Sequence, residues 1–389
     1  MYKLRDYQQQ ASDAAVSFFA NKAKKNNAIM VLPTGAGKSI VIADIAHRLN
    51  DYVLIFCPSR EILEQNFKKL CSYGILDCSI YSASFNSKEI SRITFATIGS
   101  VKAHPELFTH LKNIIVDECH LGNHKEGMYK DFFDAVKCKV LGLTATPYRL
   151  SSSRDFGSML KFITRTRPCI FSEVIYQVQI STLLDMGYLA KLDYYAMNPI
   201  GWNELNLKVN TTGADYTDKS VIREYERIDF YGYLVHIVQR LMNPKSGVRR
   251  KGILVFTRFL KEAERLTWSI PGTAIVSGET PKKERERVLE AFKAGEIPVV
   301  ANVGVLTTGF DYPELDTIVM ARPTMSLALW YQIVGRAIRP HPSKKAGWIV
   351  DLCGNIKRFG EVKDLRLVDG GNGKWAVYSG YRQLTNVRF

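Results

Sequence analysis

Ten short apolar runs, five in each half of the chain, set the strongest limit on what this sequence can fold into. They are Ala28–Leu32, Tyr52–Cys57, Arg92–Ala96, Asn113–Val116 and Lys139–Leu143, then Gly252–Thr257, Thr273–Val276, Pro298–Asn302, Thr317–Ala321 and Trp348–Asp351. Each is shorter than an ordinary helix, and its nearly unbroken apolar character suits a strand covered on both faces. Amphipathic stretches separate the runs, as helices crossing back over a parallel sheet would. The pattern predicts an α/β fold with two parallel sheets in tandem. We place the boundary near Pro168, giving units at 1–167 and 168–355, with a basic tail at 356–389. The tail holds seven Lys/Arg against three Asp/Glu. Within it Leu365–Val368 and Trp375–Ser379 flank Asp369-Gly370-Gly371-Asn372-Gly373, which predicts a hairpin. Pro199–Asp229 shows little periodicity, and its Asn210-Thr211-Thr212-Gly213 predicts a loop leading into a charged helix.

The first run leads into Leu32-Pro33-Thr34-Gly35-Ala36-Gly37-Lys38-Ser39, and a helix-like stretch, Ile40–Leu49, follows. Small residues between a strand and a helix let backbone amides crowd around a phosphate. Thr34, Gly35, Ala36 and Gly37 would form that cradle, Lys38 would bring a charge to the terminal phosphates, and the Ser39 hydroxyl would ligate magnesium. The motif lacks its usual first glycine, because Leu32 stands there.

The Asn113–Val116 run ends in Asp117-Glu118-Cys119-His120. Strand ends of open α/β sheets border the ligand crevice, so both carboxylates are expected beside the phosphate loop. Asp117 would hold magnesium and Glu118 would orient the attacking water. The second unit has no phosphate loop. It offers Gln332, Arg336 and Arg339, which on one helix would share a face at i, i+4 and i+7. Two arginines so placed suit a polyphosphate, and hydrolysis would then require the two units to close on each other.

In this order the motifs resemble those of the helicase superfamily that contains the DEAD/DEAH-box proteins, with Asp-Glu-Cys-His as a variant tetrad. The resemblance spans roughly residues 1–355 and implies two RecA-like domains with an ATP cleft between them. It implies that Arg5 and Gln8 read the adenine, and that Gly309 and Asp311 add nucleotide contacts. His120, Thr144 and Thr146 would couple hydrolysis to domain movement. Pro58, Ser59, Arg60, Thr97, Ser100, Thr257 and Thr307 would touch a nucleic-acid backbone. The stretches Val303–Asp311 and Gln332–Arg336 look most like the RadD-type bacterial DNA-repair helicases, although the cysteines of that group's zinc-binding C-terminal part are not found here. The implied activity is ATP-driven helicase or translocase action on DNA, in repair, recombination or replication. An RNA-directed ATPase of the same superfamily, or an ATP-gated nucleic-acid clamp, remains the alternative.

Composition fits a polyanionic partner. Lys+Arg 53 against Asp+Glu 38 leaves +15, which favours sequence-independent, salt-sensitive binding. Single-stranded or branched DNA is the expected partner, ATP and Mg2+ the expected cofactors, and a monomer the expected state. The tail aromatics Trp375, Tyr378 and Tyr381 are candidates either for stacking on bases or for packing on a domain. Lys22-Ala23-Lys24-Lys25 reads as a solvated face. The seven cysteines form no Cys-x-x-Cys pair, which argues against a zinc ribbon. No apolar run reaches the ~18 residues of a membrane span, and Met1–Gln8 lacks the apolar core of a secretion signal. The expected location is the cytoplasm of a bacterium or of a phage-infected host.

Overall fold

The structure, a computed structural model of the chain, describes residues 3–387 apart from 24–25, 123–126, 154–156, 198–204, 212–214, 246, 248–249, 251 and 308–309, and apart from the side chains of 152, 153, 157 and 158. Gly309, Lys24, Lys25 and the Thr212-Gly213 turn lie outside the described residues.

All ten apolar runs form strands, and the strands sort into two sheets as their position in the sequence predicted. In chain order the strands are β1 (Ala28–Val31), β2 (Val53–Phe56), β3 (Cys78–Ser82), β4 (Ser87–Lys88), β5 (Ile93–Ala96), β6 (Asn113–Asp117), β7 (Lys139–Thr144), β8 (Tyr148–Ser153), β9 (Gly157–Phe162) and β10 (Glu173–Gln177). They continue with β11 (Lys191–Ala196), β12 (Ile253–Thr257), β13 (Thr273–Ser277), β14 (Val299–Val303), β15 (Thr317–Ala321), β16 (Ala346–Asp351), β17 (Leu365–Asp369), β18 (Trp375–Ser379) and β19 (Arg382–Gln383). The first sheet runs β10-β1-β7-β6-β2-β5-β3-β4 and the second β11-β16-β15-β12-β14-β13. Every pairing in the second sheet is parallel. In the first, the short β4 is the antiparallel exception.

Burial follows the pleat. Leu254 and Phe256 of β12 face one apolar cluster while Ile253, Val255 and Thr257's neighbour Ala321 face the other side. Alternate residues of the same strand thus feed two cores, which is why these runs carry no polar alternation. The first cluster is continuous between the two units. It joins Leu32 and Ala36 of the phosphate loop to Trp330, Ile333, Ala337 and Ile338 of the second unit.

The first sheet runs past the predicted boundary. β10 pairs with β1, Ala28 opposite Glu173, so the crossing to the second sheet lies between Gln177 and Lys191 and not at Pro168. That connection contains the helix Ile180–Asp185. The charged helix expected after Asn210 is present as Asp218–Arg227. The tail forms the expected hairpin, β17 against β18 with β19 added. It packs on the first unit: Trp375 stacks on Phe162 of β9 at 6.3 Å, and the Gln179 side chain bonds both the carbonyl and the amide of Leu367. Packing therefore accounts for Trp375, and Tyr378 donates to Gln383. Tyr381 is fully exposed.

Candidate functional site

The phosphate loop turns where only glycine turns easily. Gly35 and Gly37 have φ of 84° and 79°, in the left-handed region that a Cβ penalises. Both are also crowded. A Cβ on Gly37 would lie 2.7 Å from Gln8 Nε2, and one on Gly35 would lie 2.9 Å from Leu189 Cδ2. Gly37 caps the helix Lys38–Arg48, so Lys38 and Ser39 occupy its first turn, where the helix dipole favours an anion. The loop is pinned from outside. Tyr7 OH and Gln8 Nε2 both donate to the Ala36 carbonyl, at 2.8 and 2.9 Å. Gln8 Oε1 accepts the Arg5 amide at 3.0 Å. The Gln8 side-chain amide is thus engaged with protein backbone.

β6 brings two carboxylates to the same place. Asp117 ends the strand, and Glu118 follows with φ 50°, a conformation that costs a non-glycine residue about 1 kcal/mol or more. The Glu118 carboxylate pairs with the Lys38 ammonium. The Ser39 hydroxyl donates to Asn66 Oδ1 at 2.6 Å, and Asn66 Nδ2 donates to Asp117 Oδ2 at 3.0 Å. Burial, then repulsion from Glu118, pushes Asp117 above the ordinary carboxylate range, against the pull of Lys38 and Asn66. Glu118 moves the other way: burial works to raise it, but the Lys38 ammonium and His120 hold its carboxyl well below that range. A buried carboxyl destabilised by a second one is a place where an added cation is favourable. Asp117 with Ser39 therefore fits a magnesium ion brought in on a nucleotide.

The second unit closes over this corner. Gln332 lies on the helix Leu327–Val334, but Arg336 and Arg339 do not. The helix stops at Val334, so the expected single helical face is corrected to a helix followed by an irregular turn. The Arg336 and Ala337 amides bond three residues back, to Ile333 and Val334, and Pro340 bars a continuing helix. The Ala337 carbonyl accepts Lys344 Nζ at 3.0 Å and the Ile338 carbonyl accepts the Ala190 amide at 2.7 Å. The turn nevertheless delivers the residues. Gly335 lies against Thr34, where a Cβ would meet Thr34 Cγ2 at 2.6 Å. Gln332 Nε2 is 3.3 Å from His120 Nε2, and His120 Nδ1 is 2.9 Å from the Thr144 hydroxyl. Arg336 donates to the Phe310 and Gln332 carbonyls at 2.8 and 3.2 Å. Burial pulls its pKa down to about 10, and the attraction of Glu118 opposes that fall. Arg339 pairs with Asp311. Thr146 is wholly buried beside this group, its amide bonded to Thr144 Oγ1 at 3.0 Å.

The expected backbone-contacting residues stand at the C-terminal ends of parallel strands, as the sheet rule requires. Pro58, Ser59 and Arg60 follow β2, with Ser59 capping the helix Arg60–Cys71 and Arg60 stacked 4.7 Å from the Phe85 ring. Thr97 and Ser100 follow β5 and share a 3.0 Å hydroxyl contact. Thr307 follows β14 and is half-buried. Thr257 is a correction. It is 1 % exposed and its hydroxyl donates to the Asn302 carbonyl, so its side chain supports the strand end and offers no surface contact.

Two residues of the site escaped sequence reading. Asn66, which links Ser39 to Asp117, sits mid-helix with nothing in its neighbours to mark it. Tyr188 places its ring 4.2 Å from the Arg5 guanidinium and 5.6 Å from the Tyr7 ring. It comes from the segment connecting the two sheets, so only the fold brings it to Arg5.

Comparison with known proteins agrees with this division. Residues 1–149 match the family described as type III restriction enzyme, res subunit, and residues 234–341 match the helicase conserved C-terminal domain. A 51.5 kDa protein of a Lactococcus phage is 25% identical over 84% of this chain and 66% of its own length. The DNA 3'-5' translocase XPB2 of Sulfurisphaera tokodaii is 25% identical over 87% of this chain and 79% of its own. Several curated relatives are longer, and this chain spans about half of two of them, 51% in each case. Among solved structures, the ATP-dependent type ISP restriction-modification enzyme LlaBIII bound to DNA superposes with a TM-score of 0.67 at 20% identity, covering 90% of this chain and 27% of that one. That likeness concerns the fold alone. Among the described residues no helix is long and apolar enough to cross a membrane. The two family matches fall, in order, on the two units that flank the pocket, and with the shared fold they make the chain a member of helicase superfamily 2.

Proposed function

We propose that this chain is an ATP-driven motor on DNA, a helicase or translocase, that hydrolyses ATP between its two sheet units. The observation that carries the proposal is the seating of Gly335 and Ile338 of the second unit on Thr34 and Gly35 of the phosphate loop, with Arg336 close enough to Glu118 to feel its charge. A site completed by two bodies couples its chemistry to their relative position.

In this reading the amides of Thr34 to Gly37 cradle the phosphates, and Lys38 exchanges Glu118 for phosphate oxygens when nucleotide binds. Release from Lys38 frees Glu118 to orient and deprotonate the attacking water. Ser39 and Asp117 hold magnesium, with Asn66 fixing both side chains. Magnesium supplies charge neutralisation on the phosphates as they separate. Arg336 offsets the charge that develops on the transferred group, and Arg339 joins it by leaving Asp311. Arg5 and Tyr188 form a platform for the adenine, with Gln8 holding the loop behind it. His120 senses closure, because it touches Glu118, Thr144 and Gln332 at once. Pro58, Ser59, Arg60, Thr97, Ser100 and Thr307 line the strand ends where a nucleic-acid backbone would run. Such contacts carry no sequence information. We take the moving bodies to be the two sheets with their helices, joined through residues 178–190, in a monomer.

The test is ATP turnover without nucleic acid and with single-stranded DNA, duplex DNA and single-stranded RNA. Stimulation by DNA is expected. Stimulation by RNA alone would redirect the proposal, and none by any of the three would refute it.

A further inference from the structure

The flank of the first sheet opposite the backbone-contacting strand ends carries a groove that the nucleotide site does not use. Its volume is about 440 Å3, and it lies between the segment Thr164–Ser172 and the turn of the C-terminal hairpin at 372–374. One bank carries Arg165 and Arg167 and the other Lys374, all exposed. None of its lining residues is acidic. Asp369, the carboxylate at the end of β17, accepts the Gly371 amide at 2.9 Å.

Two features show that the groove is built and is more than a basic surface. Gly371, Asn372 and Gly373 have φ of 81°, 52° and 71°. This tight turn brings Gly373 against the Ser172 carbonyl, 3.7 Å from the place of a Cβ. The Trp375–Phe162 stack and the bond from Asn386 to Leu160 then hold the turn in that position. At the floor, Thr164 is 5% exposed and its hydroxyl has no hydrogen-bond partner among the described residues. Beside it the Arg167 guanidinium donates to the Thr164 and Thr166 carbonyls at 3.3 and 2.7 Å, which fixes that bank of the groove.

We propose that this groove binds the phosphate backbone of DNA outside the motor track. Three cations with no acid, on two banks of an open channel, match a phosphodiester chain. The groove lies beside Ser172, the residue before β10, and β10 is five strand spacings from β5, about 24 Å at the usual ~4.8 Å per strand. It would therefore hold DNA that has left the strand-end contacts, or has yet to reach them. The inference rests on the chain being a DNA motor.

The experiment compares wild type with an Arg165→Gln/Lys374→Gln double variant, using fluorescence anisotropy on a single-stranded 5-mer and a forked 40-mer across a salt series. Thermal unfolding checks that the variant folds. For the forked DNA we expect the slope of log affinity against log salt to fall by about two, near 0.9 for each lost phosphate contact on duplex. For the 5-mer, at about 17 Å too short to reach from the track to the groove, we expect no change. An unchanged slope on forked DNA overturns the groove while leaving the motor in place. Equal losses on both DNAs also overturn it, because the cations would then belong to the track. Wild type that binds neither DNA overturns the groove and the motor together.

Discussion

Gly335 touches Thr34 across the cleft with no room for a methyl group between them. A Cβ on Gly335 would lie 2.6 Å from Thr34 Cγ2 and 3.1 Å from the Tyr331 carbonyl. Closure of the two units thus depends on the absence of one side chain. We expect Gly335→Ala to lower kcat at least ten-fold while ATP affinity changes only a few-fold, because the phosphate loop remains intact. Adding Thr34→Ser removes the methyl at 2.6 Å but keeps the Thr34 Cβ at 2.9 Å, so it should recover only part of the loss. Steady-state ATPase assays beside fluorescent-nucleotide titration separate the two effects.

The Lys38–Glu118 pair gives a second expectation. Glu118 serves as the base in this account, and its carboxyl is held ionised by the ammonium beside it. Glu118→Gln should bind ATP at least as well as wild type. It should hydrolyse it about 10²–10⁴ times more slowly, the usual contribution of a positioned base. Single-turnover hydrolysis with prebound ATP measures this without interference from product release.

His120 is the residue through which the two units report to each other. Its ring nitrogens reach Thr144 on one side and Gln332 on the other. His120→Ala leaves Lys38, Asp117 and Glu118 in place, so basal hydrolysis should fall by less than about ten-fold. The ratio of DNA-stimulated to basal rate should collapse towards one. A variant that lost both rates equally would show that His120 only supports Glu118.

Away from the site, Glu262 makes stability depend on pH. It caps its own helix by accepting the Phe259 amide at 3.0 Å, yet burial raises its pKa from the ordinary 4.5 to about 7, against the pull of those amides and Arg258. Between these values the folded chain holds a proton that the unfolded chain has lost. Stability from this group therefore falls as pH rises through that window, by up to about 3 kcal/mol. Glu262→Gln keeps the acceptor and removes the charge. Its thermal midpoint should exceed that of wild type at pH 8, and the gap should close near pH 4.5.

What the sequence showed and what it hid divide along physical lines. The phosphate loop and Asp117-Glu118 were legible because their chemistry is local: Gly35 and Gly37 are needed by the backbone at those positions, and β6 delivers its own last residues. The apolar strands were legible because burial on both faces leaves no polar alternation. Arg336 and Arg339 were found, but their conformation was not. Helical spacing ignores Pro340, which disfavours a helix through Arg339, and the amides of Arg336 and Ala337 turn back to Ile333 and Val334. Tyr188 and β10 were missed because their roles come from partners far away in sequence, Arg5 for one and β1 for the other. Thr257 shows the opposite error, since position at a strand end does not reveal whether a side chain points into the core.

The composite pocket is tested most directly by replacing Arg336 with alanine and measuring ATP turnover with saturating DNA alongside ATP affinity. Arg336 comes from the unit without a phosphate loop, so it contributes to hydrolysis only if the two units share one site. We expect turnover to fall about 10³-fold or more, with ATP binding within a few-fold of wild type. Turnover equal to wild type in that variant would contradict it.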